Sequence, residues 1–380
     1  MRILLIDKNL VDPVNYKKWE ILGAKAGVEL RAILPSRWIE NFTLRRLPAE
    51  FRPSFPVKAL PVIWPGFENR SFYFRGLTKE IRKFRPDIII GFEEPFSFFA
   101  LQITVLKKLY ARNAKLIFYT WDNLAKGKYY AYRPRLLYGV IERIVMGEAD
   151  LLLTANSEGE EYFRRAYRTE VRKLYFGVDV SEIDSSGSND IFGKNPLPSV
   201  GSFVVGYVGR LLEMKGIDTL LKALSLCNQE VGLLIVGSGP YKEKLEAIAK
   251  NLEISQRVAF VPAVDPHQAR LIIKRLDALV LPSLTTKKWK EQFGRVLVEA
   301  MSLGIPVIGS SSGAIPEVIG NAGLVFKEGD PVSLANAIRM LQSDTTLRID
   351  LSKKGLARSE EFSAKRFADK LYVILNELCH

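Results

Sequence analysis

Residues 203–224 read FVVGYVGRLLEMKGIDTLLKAL, and this stretch decides the fold. A near-continuous apolar run, Phe203–Val208, stops at Gly209. After a turn carrying Arg210 and Lys215, the apolar residues Ile217, Leu220, Leu221 and Leu224 recur at helical spacing. That is a strand, a turn and an amphipathic helix. Near-continuous apolar strands with helical crossovers build a parallel sheet covered on both faces. Downstream the alternation continues through strands at Val231–Val236, Arg257–Val261, Ala278–Leu281 and Pro306–Gly309. Upstream it runs through Arg2–Asp7, Val28–Leu34, Asp87–Gly91, Lys115–Thr120 and Asp150–Thr154. Helical patterns lie between them at Val14–Ala26, Ser71–Phe84, Phe96–Ala111 and Pro134–Met146. DSSGSNDIFGKNPLPS (184–199) breaks all periodicity and is rich in Ser, Gly, Asn and Pro, which makes it the linker. The expected organisation is one Rossmann-like domain over 1–183, a linker over 184–200 and a second domain over 201–362. Helices at Pro331–Gln342, Leu347–Ser359 and Ala364–Leu378 close the chain, the last within a segment, 363–380, placed to pack back toward the first domain. Two doubly wound domains facing across a cleft would bind ligands at the carboxyl ends of their strands.

Composition bounds the function. The chain has 380 residues, enough for two cores, and mean hydropathy is near zero. The apolar stretch around Phe96–Leu106 is too short to span a bilayer, and MRILLIDKNL reads as a first strand, not a signal peptide. Two cysteines, Cys227 and Cys379, exclude a disulfide framework and fit a reducing cytoplasm. Two histidines, His267 and His380, cannot build a multi-histidine metal centre. Net charge is +13, and residues 1–150 hold 26 Lys/Arg against 15 Asp/Glu. Such a basic half suits a phosphorylated substrate, an anionic membrane or nucleic acid, or it is a solvated face with no partner. Nucleic acid is the poorest of these, because the basic residues are scattered and no nucleic-acid module is present.

Four small-residue turns follow strands of the second domain and would share one rim. Gly209 lets the chain approach a ligand closely, and Arg210 and Lys215 can converge on a diphosphate. VGSGP (236–240) supplies Gly237, Ser238 and Gly239, and SSSGAIPEV (310–318) supplies another turn. The fourth is EQFGRVLVEAM (291–301), with Glu291 ahead of a helix that starts near Gly294. Free N–H groups at that helix start favour an anion. On the helix, Val296, Leu297, Ala300 and Met301 fall within about 140°, and Glu299 lies roughly 60° outside that arc. Taken singly, each turn also reads as an ordinary surface loop or amphipathic helix.

In this order and at these spacings, GRLLEMKG, VGSGP, LPS, EQFGRVLVEAM and GIPVIGSSSGAIPEVIG resemble the retaining glycosyltransferase family 4, of GT-B fold. The resemblance covers the C-terminal domain and extends loosely to ANSEGEEYF (155–163) and FGVDVSEID (176–184), where Phe176 stands in place of the usual Asn. It implies an α/β GT-B chain that moves a sugar from a nucleoside diphosphate sugar to an acceptor hydroxyl. Two side-chain cations can take over a metal's task, and no Asp-x-Asp motif follows a strand. The expectation is therefore transfer without a metal and with no cofactor beyond the donor substrate. Arg210 and Lys215 would bind the diphosphate, Glu291 the donor sugar and Glu299 the ribose. The N–H groups of Arg295 and Val296 would meet the distal phosphate, and Gly237 and its neighbours would line the nucleotide pocket.

The N-terminal half departs from the family. KNLVDPVNYKKW (8–19) replaces a usual Gly-Gly pair, and TWDN (120–123) stands where a donor-contacting His is usual. Trp121 or Asp122 is expected there. GFEEPFS (91–97) places Glu93 and Glu94 at a strand's carboxyl end, to bind acceptor hydroxyls or assist a proton transfer, or simply as a solvated loop. The basic, aromatic segments 101–115 and 129–138 suggest docking on an anionic membrane, with a lipid-linked glycan, polysaccharide or glycolipid as acceptor. The expected location is cytoplasmic, peripheral on the inner face of the membrane. The competing readings are another GT-B enzyme, an epimerase or phosphorylase, and a non-catalytic nucleotide-binding module.

Overall fold

The computed structural model describes residues 1–40, 43–124, 135–180 and 201–379. The linker expected at 184–200 and residues 129–134 of the basic segment lie outside them. The chain forms two compact units, Met1–Asp179 with Ala364–His380, and Val180–Ser363.

The first unit contains β1 (Arg2–Asp7), α1 (Lys17–Gly23), β2 (Glu29–Pro35), β3 (Trp38–Glu40), β4 (Thr43–Arg45), β5 (Val57–Leu60), β6 (Val62–Ile63) and β7 (Phe72–Tyr73). It continues with α2 (Leu77–Phe84), β8 (Ile88–Phe92), α3 (Phe98–Tyr110), β9 (Lys115–Thr120), α4 (Arg135–Glu148), β10 (Leu151–Thr154), α5 (Ser157–Ala166) and β11 (Glu170–Lys173). The second holds β12 (Phe203–Val208), α6 (Ile217–Ser225), β13 (Val231–Val236), α7 (Lys242–Asn251), β14 (Val258–Val261), α8 (Pro266–Ile273) and β15 (Ala278–Leu281). It ends with α9 (Arg295–Ser302), β16 (Val307–Ser310), α10 (Ile315–Ile319), β17 (Gly323–Phe326), α11 (Pro331–Ser343) and α12 (Thr345–Glu360), after which α13 (Ala364–Cys379) completes the first unit.

Both main sheets are parallel. The first has the order β11-β10-β9-β8-β1-β2-β5, the second β14-β13-β12-β15-β16-β17. Their central strands are buried along their length, Ile88–Phe92 and Val231–Val236 among them. This is why they read as unbroken apolar runs. Strand order reverses between β1 and β8 in the first sheet, and between β12 and β15 in the second. Each reversal opens a crevice at the carboxyl ends of its two strands.

The C-terminal helix is tied to the first unit by specific contacts. Ala364 N donates to Val178 O at 2.7 Å. Phe367 stacks edge-on against Trp19 and Phe92, at 5.4 and 6.4 Å between ring centroids. The buried Lys18 ammonium lies 3.6 Å from the Phe176 ring centroid and 5.6 Å from that of Phe367. Phe176, the departure noted in the sequence, is thus a cation–π wall for a buried lysine.

Candidate functional site

In the second unit the crevice between β12 and β15 gathers residues from four turns. Lys215 ends a short 3-10 turn, Glu213–Lys215, and donates to Glu291 Oε2 at 2.7 Å. Ser283, just beyond β15, donates its hydroxyl to the same oxygen at 2.7 Å. The Lys215 ammonium also lies 4.5 Å from the Trp289 ring centroid. Glu291 is buried, and an ion pair with a hydroxyl on the same oxygen keeps that carboxylate hydrogen-bonded inside the protein. Lys215 and Glu291 are expected from the sequence on the diphosphate and sugar sides; here they are direct partners.

Arg210 is exposed, and its carbonyl accepts from the Tyr207 hydroxyl at 2.8 Å. Burial first, then the Glu291 carboxylate, hold the Tyr207 hydroxyl well above its ordinary range, while Arg210 opposes them. Tyr207 is therefore the electrostatic neighbour of both Arg210 and Glu291. It escapes sequence reading because a tyrosine inside an apolar strand looks like core.

The glycine turns pack back to back. Gly209 N donates to Val236 O at 3.0 Å and Gly237 N to Val261 O at 2.9 Å. A Cβ on Gly237 would fall 1.9 Å from Gly209 O, and one on Gly239 2.2 Å from Leu211 O. Ser238 O accepts from Leu211 N at 3.0 Å, and its hydroxyl accepts from Ala263 N at 3.2 Å. Backbone contact, not side-chain identity, brings these turns together.

The N-cap of helix α9 is Gly294, whose φ of 82° is a left-handed conformation that glycine adopts without steric cost. Gly294 has no side chain to cap the helix, so the first amides at Arg295 and Val296 have no capping group from it. The buried face differs from the sequence expectation. It comprises Leu297, Val298, Ala300 and Met301, with Val296 only half-buried. The face is turned by about 50° away from Glu299, because α9 packs on β15 and on α12, where Gly355 meets Met301. Glu299 accepts from Arg295 Nε at 2.8 Å on the face left open.

Gly313 controls the position of Glu291. Its φ is 52°, and a Cβ there would fall 2.1 Å from Glu291 O, which also accepts from Ala314 N at 2.9 Å. Gly313→Ala is expected to displace the Glu291 backbone and cut any sugar transfer at least about tenfold, with nucleotide binding retained. Unchanged turnover in the variant would contradict that role.

In the first unit the crevice between β1 and β8 holds Lys8 and Glu93. Lys8 Nζ and Glu93 Oε2 are 2.6 Å apart, and both side chains are buried. Glu93, expected as an acceptor-binding carboxylate, is fully buried against a lysine 85 residues away in sequence. The half-buried Glu94 accepts from the Thr120 hydroxyl and, at 3.2 Å, from Trp121 N. Asp122 N donates to Thr120 Oγ1 at 3.0 Å, and Asp122 Oδ1 accepts from Leu124 N at 2.9 Å. The Trp121 ring packs on Phe92, Tyr119 and Phe176. Thus Glu94, Trp121 and Asp122 do come together, at the carboxyl ends of β8 and β9.

Burial pushes Glu93 up to about 7, against the pull of Lys8. Burial and then the Asp122 charge push Glu94 up to about 8. From about 4.5, the ordinary value, to about 8, the folded unit keeps protons that the unfolded chain releases. Stability from these groups is therefore present at low pH and declines as pH rises through 7 and 8. The expected result is a melting temperature of the first unit that falls between pH 5 and pH 8.5, with a shallower fall in Glu94→Gln. A rising profile would refute the assignment.

Among the described residues no group of three or more His, Cys, Asp or Glu side chains could hold a metal ion. No helix among them is long and apolar enough to cross a membrane.

Residues 190–358 match the family model described as glycosyl transferases group 1. The second unit carries a glycosyl transferases group 1 domain. D-inositol 3-phosphate glycosyltransferase of Corynebacterium jeikeium is 30% identical over 257 residues, 63% of this chain and 60% of that protein. The chain spans about 52–60% of the length of the first such relatives it matches. The O-antigen biosynthesis glycosyltransferase WclY of Escherichia coli is 23% identical over 73% of this chain and 76% of its own. Among solved structures, Anabaena Alr3699/HepE in complex with UDP superposes with a TM-score of 0.74 at 19% identity, covering 99% of this chain and 100% of its own. Sucrose-phosphate synthase from Thermosynechococcus elongatus gives 0.73 at 20% identity, covering 100% and 99%. The fold is α/β of the GT-B type, with two Rossmann-like units. The group 1 match contains Lys215, Ser283, Glu291, Gly294 and Gly313; Lys8, Glu93 and Glu94 lie outside it.

Proposed function

We propose that the chain is a retaining glycosyltransferase that moves a sugar from a nucleoside diphosphate sugar to an acceptor hydroxyl without a metal. The observation that carries this is the Lys215–Glu291–Ser283 cluster at the second sheet's switch point, beside the start of α9. In the reaction the bond from the anomeric carbon to the diphosphate oxygen breaks, the bond to the acceptor oxygen forms on the same face, and the acceptor proton passes to the departing diphosphate. Negative charge grows on that diphosphate, so cations fixed beforehand stabilise the transition state more than the bound substrate. An ammonium has three donors; one on Glu291 leaves two of Lys215 for phosphate oxygens. Arg210 and the amides of Arg295 and Val296 would add to this charge neutralisation, which a metal performs elsewhere. Glu291, aimed by Lys215 and Ser283, would accept hydrogen bonds from the sugar hydroxyls. Glu299 would take the ribose, and Gly209, Gly237, Ser238, Gly239 and Gly294 would let the nucleotide approach the backbone.

The acceptor proposed is a lipid-linked glycan, polysaccharide or glycolipid, held near Glu94, Trp121 and Asp122. Inositol phosphate and O-antigen glycosyltransferases among the relatives support a hydroxylated glycan or polyol acceptor. UDP complexes of the solved neighbour support a nucleotide donor. Thermal-shift measurement with UDP-, GDP-, ADP- and dTDP-sugars should single out one donor that raises the melting temperature of the purified chain. If none binds and none is consumed with any acceptor glycan, the proposal fails.

A further inference from the structure

The first unit leaves in water a group of large apolar side chains that its core does not use. The β6–β7 hairpin and its flanks, residues 61–76, present Trp64, Phe67 and Phe74 at 55, 60 and 64% exposure. Beside it, the β3–β4 hairpin exposes Ile39 and Leu44, and the start of α4 exposes Leu136 at 81%. Direct contacts join these pieces. A Cβ on Gly66 would fall 2.8 Å from Ile39 Cβ, Arg70 Nε donates to Tyr138 Oη at 3.2 Å, and Phe98 N donates to Asn69 O at 3.0 Å.

The segment is braced from within. Ser71 Oγ donates to Trp64 O at 2.6 Å and to Phe67 O at 2.9 Å, and Ser71 N donates to Phe67 O at 3.0 Å. Trp64 itself is held at φ 51°, an unfavourable conformation for a bulky residue. A hydrogen-bonded backbone thus holds three aromatic rings outward, where solvation alone would drive them in. The same segments and their flanks carry the exposed Arg37, Arg45, Arg46, Arg70, Arg75 and Arg135; Arg45 also lies 3.8 Å from Asp12, and Glu68 is the one carboxylate in 61–76.

We propose that this surface docks the first unit on an anionic lipid bilayer. Trp64, Phe67, Phe74 and Leu136 would enter the boundary between headgroups and acyl chains, with the arginines against lipid phosphates. Tryptophan and arginine together suit that boundary. A second copy of the chain is the poorer occupant, because it would bring two arginine-rich rims together. The inference rests on the transferase reading only for its purpose, delivery of a lipid-borne acceptor; the docking itself requires no catalysis.

The test is co-sedimentation of the full chain with phosphatidylcholine vesicles, with and without about 30 mol% phosphatidylglycerol, at about 0.05 and 0.5 M salt. Wild type should bind the anionic vesicles at least about tenfold more tightly than neutral ones, and lose most binding at high salt. The triple variant Trp64→Ser, Phe67→Ser, Phe74→Ser should lose about tenfold or more, as should Arg37→Glu with Arg75→Glu. Both should keep the wild-type nucleotide-induced thermal shift, which serves as the control for folding. No preference for anionic vesicles, or a triple variant that binds like wild type, would overturn the docking surface. So would a wild-type dimer that the triple variant abolishes and vesicles do not displace. Nucleotide binding without vesicle binding sinks this inference alone; vesicle binding without nucleotide binding sinks only the transferase reading.

Discussion

Lys215→Ala should lower sugar transfer by about 100- to 1,000-fold, the usual consequence of removing one fixed donor from a developing anion. In the proposed reaction the ammonium would serve the leaving diphosphate while it holds Glu291 at 2.7 Å, so both rate and donor affinity should fall. Glu291→Gln separates the two roles. It keeps the size of the side chain and a partner for Ser283 while removing the charge that Lys215 neutralises. Turnover should fall by a similar factor in Glu291→Gln, with the affinity for the bare nucleoside diphosphate preserved. Steady-state kinetics beside calorimetric titration with the nucleotide would show the split. If Glu291→Gln transfers sugar at a near-normal rate, the sugar-facing role is wrong. If Lys215→Ala does so, neither role stands for the lysine.

The second large effect concerns stability. Lys8→Ala leaves the Glu93 carboxyl fully buried without its ammonium, and breaking a buried pair from one side typically costs about 3–5 kcal/mol. Glu93 can escape part of that cost by keeping its proton, so the loss should be larger at pH 8 than at pH 6. Replacing both members, Lys8→Met with Glu93→Leu, should recover most of the loss, because two desolvated charges give way to apolar contacts. Urea unfolding followed by tryptophan emission would measure this, since Trp19 and Trp121 lie in the first unit. A Lys8→Ala variant as stable as wild type at pH 8 would show that the pair contributes little.

The sequence discloses the main strands because they are buried on both faces and leave an apolar signature. β1, β9, β12, β13 and β15 have the bounds expected. The two hairpins, β3–β4 and β6–β7, are too short for any periodicity to register, and edge strands β5 and β11 carry exposed polar residues that hide them. In the second unit, Glu291 and Lys215 are readable because each sits in a distinctive turn. Their direct pairing is not, since 76 residues separate them. Glu93 shows the cost of that blindness: two adjacent glutamates look equivalent, yet one faces a buried lysine and the other a threonine. Ser283 ends the LPS motif that carries the resemblance, but no role for it follows from the sequence. Trp289 and Tyr207 had no signal.

The path of the chain sets an order of events during synthesis. Residues 1–179 leave the ribosome first, but their unit is completed by α13, the last helix in the chain described. Until that helix arrives, the faces of Trp19 and Phe92 that Phe367 covers stay open, and Lys25 lacks its partner Asp369. The second unit, contiguous over Val180–Ser363, can close while translation continues. The nascent chain therefore carries an unfinished first unit for the time needed to make roughly 200 residues, about 10–40 s at ordinary elongation rates. During that window the aromatic face stays uncovered, and a chain that ended before Ala364 would never cover it.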